Sequence, residues 1–223
     1  SENNFISNKI VSNIDYHLTQ NLLDRKTANK KLKLSTSSIV FYWGVKIKSE
    51  KLQLHNVIFS DDYKKEFESI FEKNIIPEDP TVYVNITSKI DNQHAPKEHE
   101  NWFVMVNTPP NFEIDNSQEI QKLKKYILRK IEKNIGINIS DLIVFEKILS
   151  PKTLYNSTGS LMGSIYGENQ NSLMSILKRK SNQDSYLKNF FYVGGTVRPG
   201  GGMPLALRSG INVAKKIVID KVK

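Results

Sequence analysis

Hydrophobic residues along the chain follow two periods. In several segments they alternate with polar residues or form short runs rich in β-branched and aromatic side chains, a pattern that predicts strands. These segments are residues 5–14, 38–48, 54–59, 81–88, 101–108, 142–149 and 190–193. Over residues 117–134 and 203–222, apolar residues recur every three or four positions, which predicts two amphipathic helices. A shorter helix is predicted to follow Ser60, whose hydroxyl suits an N-cap.

The segment from residue 189 to residue 205 organises the carboxyl-terminal part of the chain. It is predicted to form a strand, a glycine-rich turn and the start of a helix, and five of the eleven glycines lie between 194 and 202. Pro204 suits the first turn of a helix. Because the first amides of a helix are unpaired and lie at its positive end, an anionic or electron-rich ligand group is favoured there. Two interpretations remain open, a ligand site and a structural turn with close packing of helix on strand.

Composition narrows the function classes. The chain has 223 residues, enough for one large or two small domains, and 39% of them are hydrophobic. No stretch approaches the roughly 20 apolar residues of a membrane-spanning helix. The absence of cysteine excludes disulfides, thiolate catalysis and cysteine-based metal sites. The net charge of +9 permits an anionic partner, but the lysines are dispersed and no nucleic-acid-binding motif is present, so nucleic acid is not expected.

Several polar residues are candidates for chemical roles. His94 and His99 are five residues apart in a polar loop, a spacing that fits no helix-borne ligand pair, and no metal site is expected. His55, beside a strand, is interpreted as structural or solvated. The carboxylates near residues 61, 62 and 79 are interpreted as helix caps and a solvated face rather than an acid–base pair.

Residues 171–180 combine four apolar side chains with Lys178-Arg179-Lys180. This combination suits a membrane interface, where apolar residues enter the lipid and cations meet the headgroups. A helix packed on the core with a basic end explains the pattern equally well, so both interpretations stay open.

The string VGGTVRPGGGMPLALRSG, which begins at Val193, resembles the carboxyl-terminal signature of the carotenoid desaturases, the phytoene dehydrogenase family of flavoproteins. One departure is Arg198, where the family usually has histidine. Further segments resemble family motifs in the same order along the chain, namely Val11-Ser12-Asn13 with Asp15, His55-Asn56, Pro77 to Thr81 and Gly163 to Gly167.

The resemblance implies an α/β (α+β) fold. It would consist of a mixed-sheet substrate domain with helices on one side, together with the last strand and carboxyl-terminal helix of a Rossmann-like FAD domain. Residues 1–15 would be a strand of the FAD domain and the crossover, 16–185 the substrate-binding domain, and 186–223 the strand–turn–helix that completes the FAD domain. Because the chain has no G-x-G-x-x-G fingerprint and about half the family's length, we expect a carboxyl-terminal fragment whose N-terminal FAD-binding part is missing.

The resemblance also implies non-covalent FAD and the oxidation of C–C single bonds of a polyene to double bonds. The implied cofactor-binding residues are Gly194, Gly195, Thr196, Arg198, Pro199, Gly200, Gly201, Gly202, Met203, Pro204 and Leu205. Arg198 is hypothesised to stabilise the reduced flavin. No catalytic acid or base is identified, and the fragment alone is expected to be inactive.

The implied partners are a carotenoid (a C30 or C40 polyene), a membrane surface and the missing FAD-binding half, and the implied location is cytoplasmic and peripheral to a membrane. Two alternatives are retained. One is a flavin-dependent carotenoid cis–trans isomerase or saturase of the same superfamily. The other is a non-enzymatic lipid- or protein-binding module.

Overall fold

A computed structural model describes residues 4–25, 32–111, 113–114, 117–169 and 179–219. Its contacts divide the chain into two compact units, here called the central unit (36–155) and the terminal unit (1–35 with 156–223). The elements in chain order are β1 (Ile10–Ser12), α1 (Tyr16–Leu22), β2 (Ser37–Val45), β3 (His55–Ile58), α2 (Tyr63–Glu68), β4 (Val82–Asn85), β5 (Glu100–Thr108), α3 (Ser117–Ile135), β6 (Ile143–Leu149), α4 (Pro151–Thr158), β7 (Phe190–Tyr192) and α5 (Met203–Ile219).

The central unit is built on a five-stranded sheet with strand order β3-β4-β5-β2-β6. All four pairings are antiparallel, and β2 and β5 pair over nine residues from Ser37↔Thr108 to Val45↔Glu100. Side chains of β5 alternate between buried and half-buried, as the period of a strand requires. The side chains on one face of the sheet are therefore buried in the core, and those on the other face are partly exposed.

The core of the central unit lies between that sheet face and α3. Trp43 and Trp102, each 1% exposed, are its largest side chains, and Ile127 and Ile131 of α3 are fully buried against the same cluster. The predicted helix over 117–134 is confirmed as α3, and it ends immediately before Gly136. Its regular apolar period is sufficient to fix which side of the helix meets the sheet.

The start of α2 differs from the prediction. The N-cap is Asp62 rather than Ser60, because the Asp62 carboxylate accepts from the Lys65 amide at 3.0 Å and its φ of −131° is not helical. The Ser60 hydroxyl instead accepts from the Asp62 amide at 3.2 Å, which forms the turn before the helix. The predicted capping role of these carboxylates is confirmed for Asp62, whereas Asp79 is not part of a solvated face, because its carboxylate contacts α3.

The terminal unit contains a two-stranded parallel sheet, in which Ile10, Val11 and Ser12 of β1 pair with Phe190, Phe191 and Tyr192 of β7. The predicted strand over 5–14 is shorter than expected, since only three of its residues find partners on β7. The predicted carboxyl-terminal helix is confirmed as α5 over the described residues. The membrane-interface prediction for 171–180 lies outside the described residues except for Arg179 and Lys180.

A buried acid anchors α1 to β7. The Asp184 carboxylate pairs with Arg25 and accepts from the Tyr192 phenol at 2.5 Å, and the Gln20 amide donates to the same phenol at 2.6 Å. Burial opposes ionisation, but the hydrogen bonds from Arg25 and Tyr192 outweigh it and hold the pKa of Asp184 well below its usual range. Asp184 is therefore a charged structural group.

The fold class is confirmed as α/β. The sheet of the central unit is entirely antiparallel rather than mixed as expected, because the parallel pairing lies in the separate β1–β7 sheet. The predicted domain boundaries concern which residues hold flavin and substrate, and they stay predictions. Across the described ranges, no helix combines the length and the apolar character needed to cross a membrane.

Asp79 joins the loop before β4 to α3. Its carboxylate accepts from the Lys130 ammonium and the Tyr126 phenol, each at 2.5 Å, and from the Asp61 amide at 2.7 Å. Burial alone would raise the pKa of Asp79, but these hydrogen bonds outweigh burial and lower the pKa to about 2.

We expect Asp79→Asn to lower the free energy of unfolding by about 1–2 kcal/mol at neutral pH, because the variant loses a charge-assisted network. Since the folded pKa of Asp79 is lowered from 3.8 to about 2, its contribution is complete above about pH 4 and is lost as the pH falls through 2. Urea titrations at several pH values measure the difference. Asp141→Asn, at an exposed carboxylate, is the control. A difference that stays constant down to pH 2 contradicts the assignment.

Candidate functional site

The glycine-rich turn begins where β7 ends. The amide of Val193 donates to the carbonyl of Ser12 at 2.9 Å, which extends the parallel ladder by one bond. Gly194 follows with φ of +110°, and a Cβ there would lie 2.8 Å from the Asn13 side-chain oxygen. The chain can turn at this point only with glycine, for reasons of both backbone angle and space.

One side-chain amide holds the two ends of the turn. Nδ2 of Asn182 lies within hydrogen-bond distance of the carbonyls of Tyr192 (3.1 Å) and Arg198 (2.8 Å) and of the Ser209 hydroxyl (2.9 Å). Ser209, on α5, is fully buried and also accepts from the Gly194 amide at 3.2 Å. β7, the turn and α5 are thereby tied at a single point.

A buried arginine fills the inside of the turn. The guanidinium of Arg179 donates from Nε to the Val197 carbonyl at 2.8 Å and from Nη2 to the Gly195 carbonyl. Arg179 is only 5% exposed, and burial lowers its pKa from the usual value. Its Nη1 is buried and has no hydrogen-bond partner among the residues that the structure describes. The turn therefore contains a largely desolvated positive charge.

The outer side of the turn is open at its end. Gly202 has φ of +93°, and a Cβ there would meet nothing within 4 Å. Met203 and Leu205, in the first turn of α5, are 88% and 41% exposed. The preceding glycine is covered instead, because a Cβ on Gly201 would lie 2.3 Å from the ring of Tyr166. Beyond the ring of Tyr166, an accessible surface extends over Gly202 and the start of α5.

The predicted cofactor residues do not all have the same environment. Gly200 is buried, and the Thr196 hydroxyl accepts from the Tyr16 amide at 3.2 Å, so both face the protein interior. Arg198 and Pro199 are exposed and joined by a cis peptide bond, and Nε of Arg198 donates to the Arg179 carbonyl at 3.0 Å. Their roles as cofactor ligands stay predictions.

Three supporting residues were not identified from the sequence. Arg179 belongs to a basic run, and Asn182 stands in a polar stretch without periodicity, so no local pattern indicates either contact. Tyr166 belongs to the Gly163–Gly167 motif, which was the available signal that its ring packs against the turn.

The central unit presents a second candidate surface, on the sheet face opposite α3. Four rings lie side by side across four strands and are called the aromatic row: Tyr42, Phe103, Tyr83 and His55. The rings of Tyr42 and Phe103 pack edge to face with their centroids 5.4 Å apart, and those of Phe103 and Tyr83 do so at 6.2 Å. Nδ1 of His55 lies 2.8 Å from the Tyr83 phenol. The second face of an antiparallel sheet is usually polar, so this row is an unusual feature.

A cleft of about 560 Å³ opens on one end of the aromatic row. Its walls include Tyr42, Phe103 and Phe145, and the last of these is 60% exposed. His94 and His99 also line it, but their Nδ1 atoms lie 2.9 Å from the Thr87 hydroxyl and 2.8 Å from the Lys97 carbonyl. In the part of the chain that the structure describes, no three acidic or histidine side chains group as metal ligands would.

Comparison with known proteins identifies the family. No family model matches the chain. This chain is 43% identical over 204 residues to a 1-hydroxycarotenoid 3,4-desaturase from Flavobacterium sp. (strain P99-3). The alignment covers 90% of this chain and 42% of that protein. The chain belongs to the carotenoid desaturase-like family. The resemblance noted in the sequence is therefore confirmed.

Other proteins match the chain at lower sequence identity. A 4,4'-diaponeurosporene oxygenase from Staphylococcus haemolyticus (strain JCSC1435) is 33% identical over 187 residues, which cover 82% of this chain and 37% of that protein. An oxidoreductase from Methanosarcina mazei superposes with a TM-score of 0.47 at 12% identity, over 93% of this chain and 43% of its own. The chain spans about two fifths of the length of the curated relatives it matches.

Three glycine-to-alanine substitutions separate the constraints on the turn. We expect Gly194→Ala to lower the free energy of unfolding most, by about 2–4 kcal/mol, because it combines backbone strain with overlap against Asn13. Gly202→Ala introduces backbone strain without steric overlap and is expected to lower the free energy of unfolding by about 1–2 kcal/mol. Gly210→Ala, inside α5 with open space, is the control and is expected to raise it slightly. Thermal and denaturant unfolding measure the order, and equal losses at 194 and 202 contradict it.

Proposed function

We propose that the chain is the carboxyl-terminal part of an FAD-dependent oxidoreductase that converts C–C single bonds of a carotenoid into double bonds. The observation that carries the proposal is the glycine-rich turn, which matches the family signature and ends at the exposed first turn of α5. Its relatives' names, a carotenoid desaturase and carotenoid oxygenases, support a carotenoid-modifying oxidoreductase.

The residues of the turn fit a flavin. Gly202 leaves space where a side chain would stand, and the first amides of α5 lie at the positive end of a 17-residue helix. The guanidinium of Arg198 adds an exposed positive charge on the turn, and that of Arg179 adds a buried one inside it. A reduced flavin carries negative charge that such a surface stabilises.

Exposed apolar groups support a partner polypeptide for the terminal unit. Parallel strands normally have both faces covered, yet Ile10 and Val11 of β1 are 50% and 47% exposed. On α5, Leu207 and Val218 of the predicted apolar face are 68% and 61% exposed. Exposed apolar residues on both elements are typical of an interface, and the FAD-binding half of the protein is the proposed occupant.

The aromatic row supports an elongated apolar substrate. At the usual strand spacing, its four strands extend over about 14 Å, and Phe145 on the neighbouring strand lengthens it further. A conjugated polyene is flat and lacks hydrogen-bonding groups along its length, so aromatic side chains bind it through contact area alone. The proposed substrate class is therefore a carotenoid, a C30 or C40 polyene.

FAD, when bound, supplies the capacity to accept a hydride from the substrate. The contribution of this chain is positional: the turn offers amides and cations to the flavin, while the aromatic row fixes the line of the polyene and excludes water from it. No residue of the chain is assigned as an acid or base.

The relatives' names favour a second candidate, oxygenation of a carotenoid, since the Staphylococcus proteins are named as 4,4'-diaponeurosporene oxygenases. Isomerisation or saturation by a flavoprotein of the same superfamily, and a non-enzymatic lipid- or protein-binding role, are the remaining alternatives. A cytoplasmic location at the surface of a membrane is also proposed, because carotenoids dissolve in lipid.

A chimaera tests the function. This chain would replace the matching part of the Flavobacterium desaturase, and FAD content and carotenoid products would be measured. We expect the chimaera to retain FAD and to lengthen the conjugated system, and the chain alone to retain none. Products with the same number of double bonds but altered geometry indicate isomerase activity. Products with fewer double bonds indicate saturase activity, and products with added oxygen indicate oxygenase activity. A folded chimaera that retains no FAD contradicts the proposal, and tight FAD binding by the chain alone contradicts the missing half.

Within the chimaera, Arg198→His tests the cation at the turn. We expect the flavin reduction potential to fall by about 30 mV, which corresponds to roughly 1.4 kcal/mol for a two-electron couple. Arg208→His, at an exposed residue of α5, is the control and should leave the potential unchanged. If the two variants have equal flavin reduction potentials, the proposed role of Arg198 beside the flavin is wrong.

Substitutions on the aromatic row test the substrate surface without flavin. We expect Tyr42→Ser and Phe145→Ser each to weaken polyene binding to this chain by roughly fivefold to tenfold, because each removes apolar area that the ligand would cover. The shift in the polyene absorption spectrum on titration measures affinity. Ile90→Ser is the control, since Ile90 is 76% exposed and lies outside the cleft. Equal losses in all three variants argue against a specific surface.

A further inference from the structure

The exposed side of α3 carries a row of cations that the proposed reaction does not use. Four exposed residues at intervals of three and four form this cationic row: Lys122, Lys125, Arg129 and Lys133. Among the described residues, the ion pairs of α3 involve Lys124 and Lys130 and none of these four. The acidic residues of the helix are Glu119 and Glu132, so its solvent side is strongly positive.

Apolar side chains lie beside this row. An open cleft of about 640 Å³ is lined by Arg129, Lys130 and Lys133 of α3 and by Val57 and Phe59, which lie in β3 and the loop after it. Phe59 is 67% exposed and Val57 is 49% exposed. Cations and unburied apolar groups therefore share one surface, a combination that a purely solvated face does not require.

The Asp79 network holds the two walls together. The Asp79 carboxylate accepts from the amide of Asp61, two residues after Phe59, and from the ammonium of Lys130 on α3. This contact neutralises Lys130, and the Asp61 carboxylate also lines the cleft. The charges left for an external partner are Arg129 and Lys133, with Lys122 and Lys125 further along the helix.

We propose that the cationic row, with Val57 and Phe59, is the surface by which the protein docks on a bilayer that contains anionic lipids. The apolar side chains would enter the headgroup region while the cations meet phosphate oxygens. Charge complementarity selects an anionic surface, and the aliphatic Val57 beside Phe59 favours lipid over nucleic acid. The inference rests on the membrane association proposed above, but it needs neither flavin nor polyene.

The test uses the whole 223-residue chain and vesicles of phosphatidylcholine, with or without an equal share of phosphatidylglycerol. We expect salt-sensitive binding to the anionic vesicles, measured by co-sedimentation. Arg129→Gln with Lys133→Gln should weaken it roughly thirtyfold, since each cation near an anionic surface contributes about 1 kcal/mol. Lys46→Gln with Lys48→Gln, exposed residues outside the cleft, make the same change in net charge and should weaken it less than threefold.

Phe59→Ser tests the apolar part and is expected to weaken vesicle binding about tenfold. The proposal is overturned if both charge pairs reduce binding equally, if Phe59→Ser has no effect, or if a single-stranded oligonucleotide binds more tightly than the vesicles. Unchanged thermal unfolding verifies that these exposed substitutions leave the fold intact. Because flavin and polyene are left out, failure of the chimaera and failure of vesicle docking are separate results.

Discussion

The parallel ladder between β1 and β7 is the interaction on which the candidate site depends. It brings Ser12 and Asn13 beside the end of β7, so that the chain must turn at Gly194 and can pass directly into α5. A parallel pair of three residues has little stability by itself. Ile10 and Val11 of β1 are half exposed although parallel strands normally have both faces covered, and a polypeptide partner is proposed for this reason.

Buried polar groups give the turn its shape. Asn182 and Arg179 donate hydrogen bonds to the carbonyls that point inward. The Ser209 hydroxyl accepts a hydrogen bond from the backbone amide of Gly194. Because these donors and acceptors work from inside, the outer surface at Gly202 is left without side chains. In the central unit too, one side is used for packing and the other is accessible: α3 covers one face of the sheet, and the aromatic row lies on the other.

The amphipathic helix α3 and the long strands β2 and β5 could be predicted from the sequence because their period is local and repeats over many residues. The glycine-rich turn was also predictable as a unit, since its residues are consecutive. The contacts of Asn182, Arg179 and Asp79 could not be, because each joins segments whose approach depends on strand order. The N-cap of α2 was misplaced for a related reason: serine and aspartate two residues apart both suit a cap, and tertiary contacts decide between them.

The chemistry of the aromatic row limits what it can distinguish. Rings that contact one another edge to face offer area but almost no directional bonds, so a uniform chain could slide along them in many registers of nearly equal energy. If the row holds a polyene as proposed, the bond that reacts must be selected where the chain ends rather than along its middle. The polar side chains that line the cleft, Asn85, Thr87 and His94, would then contact the end of the ligand and limit its length.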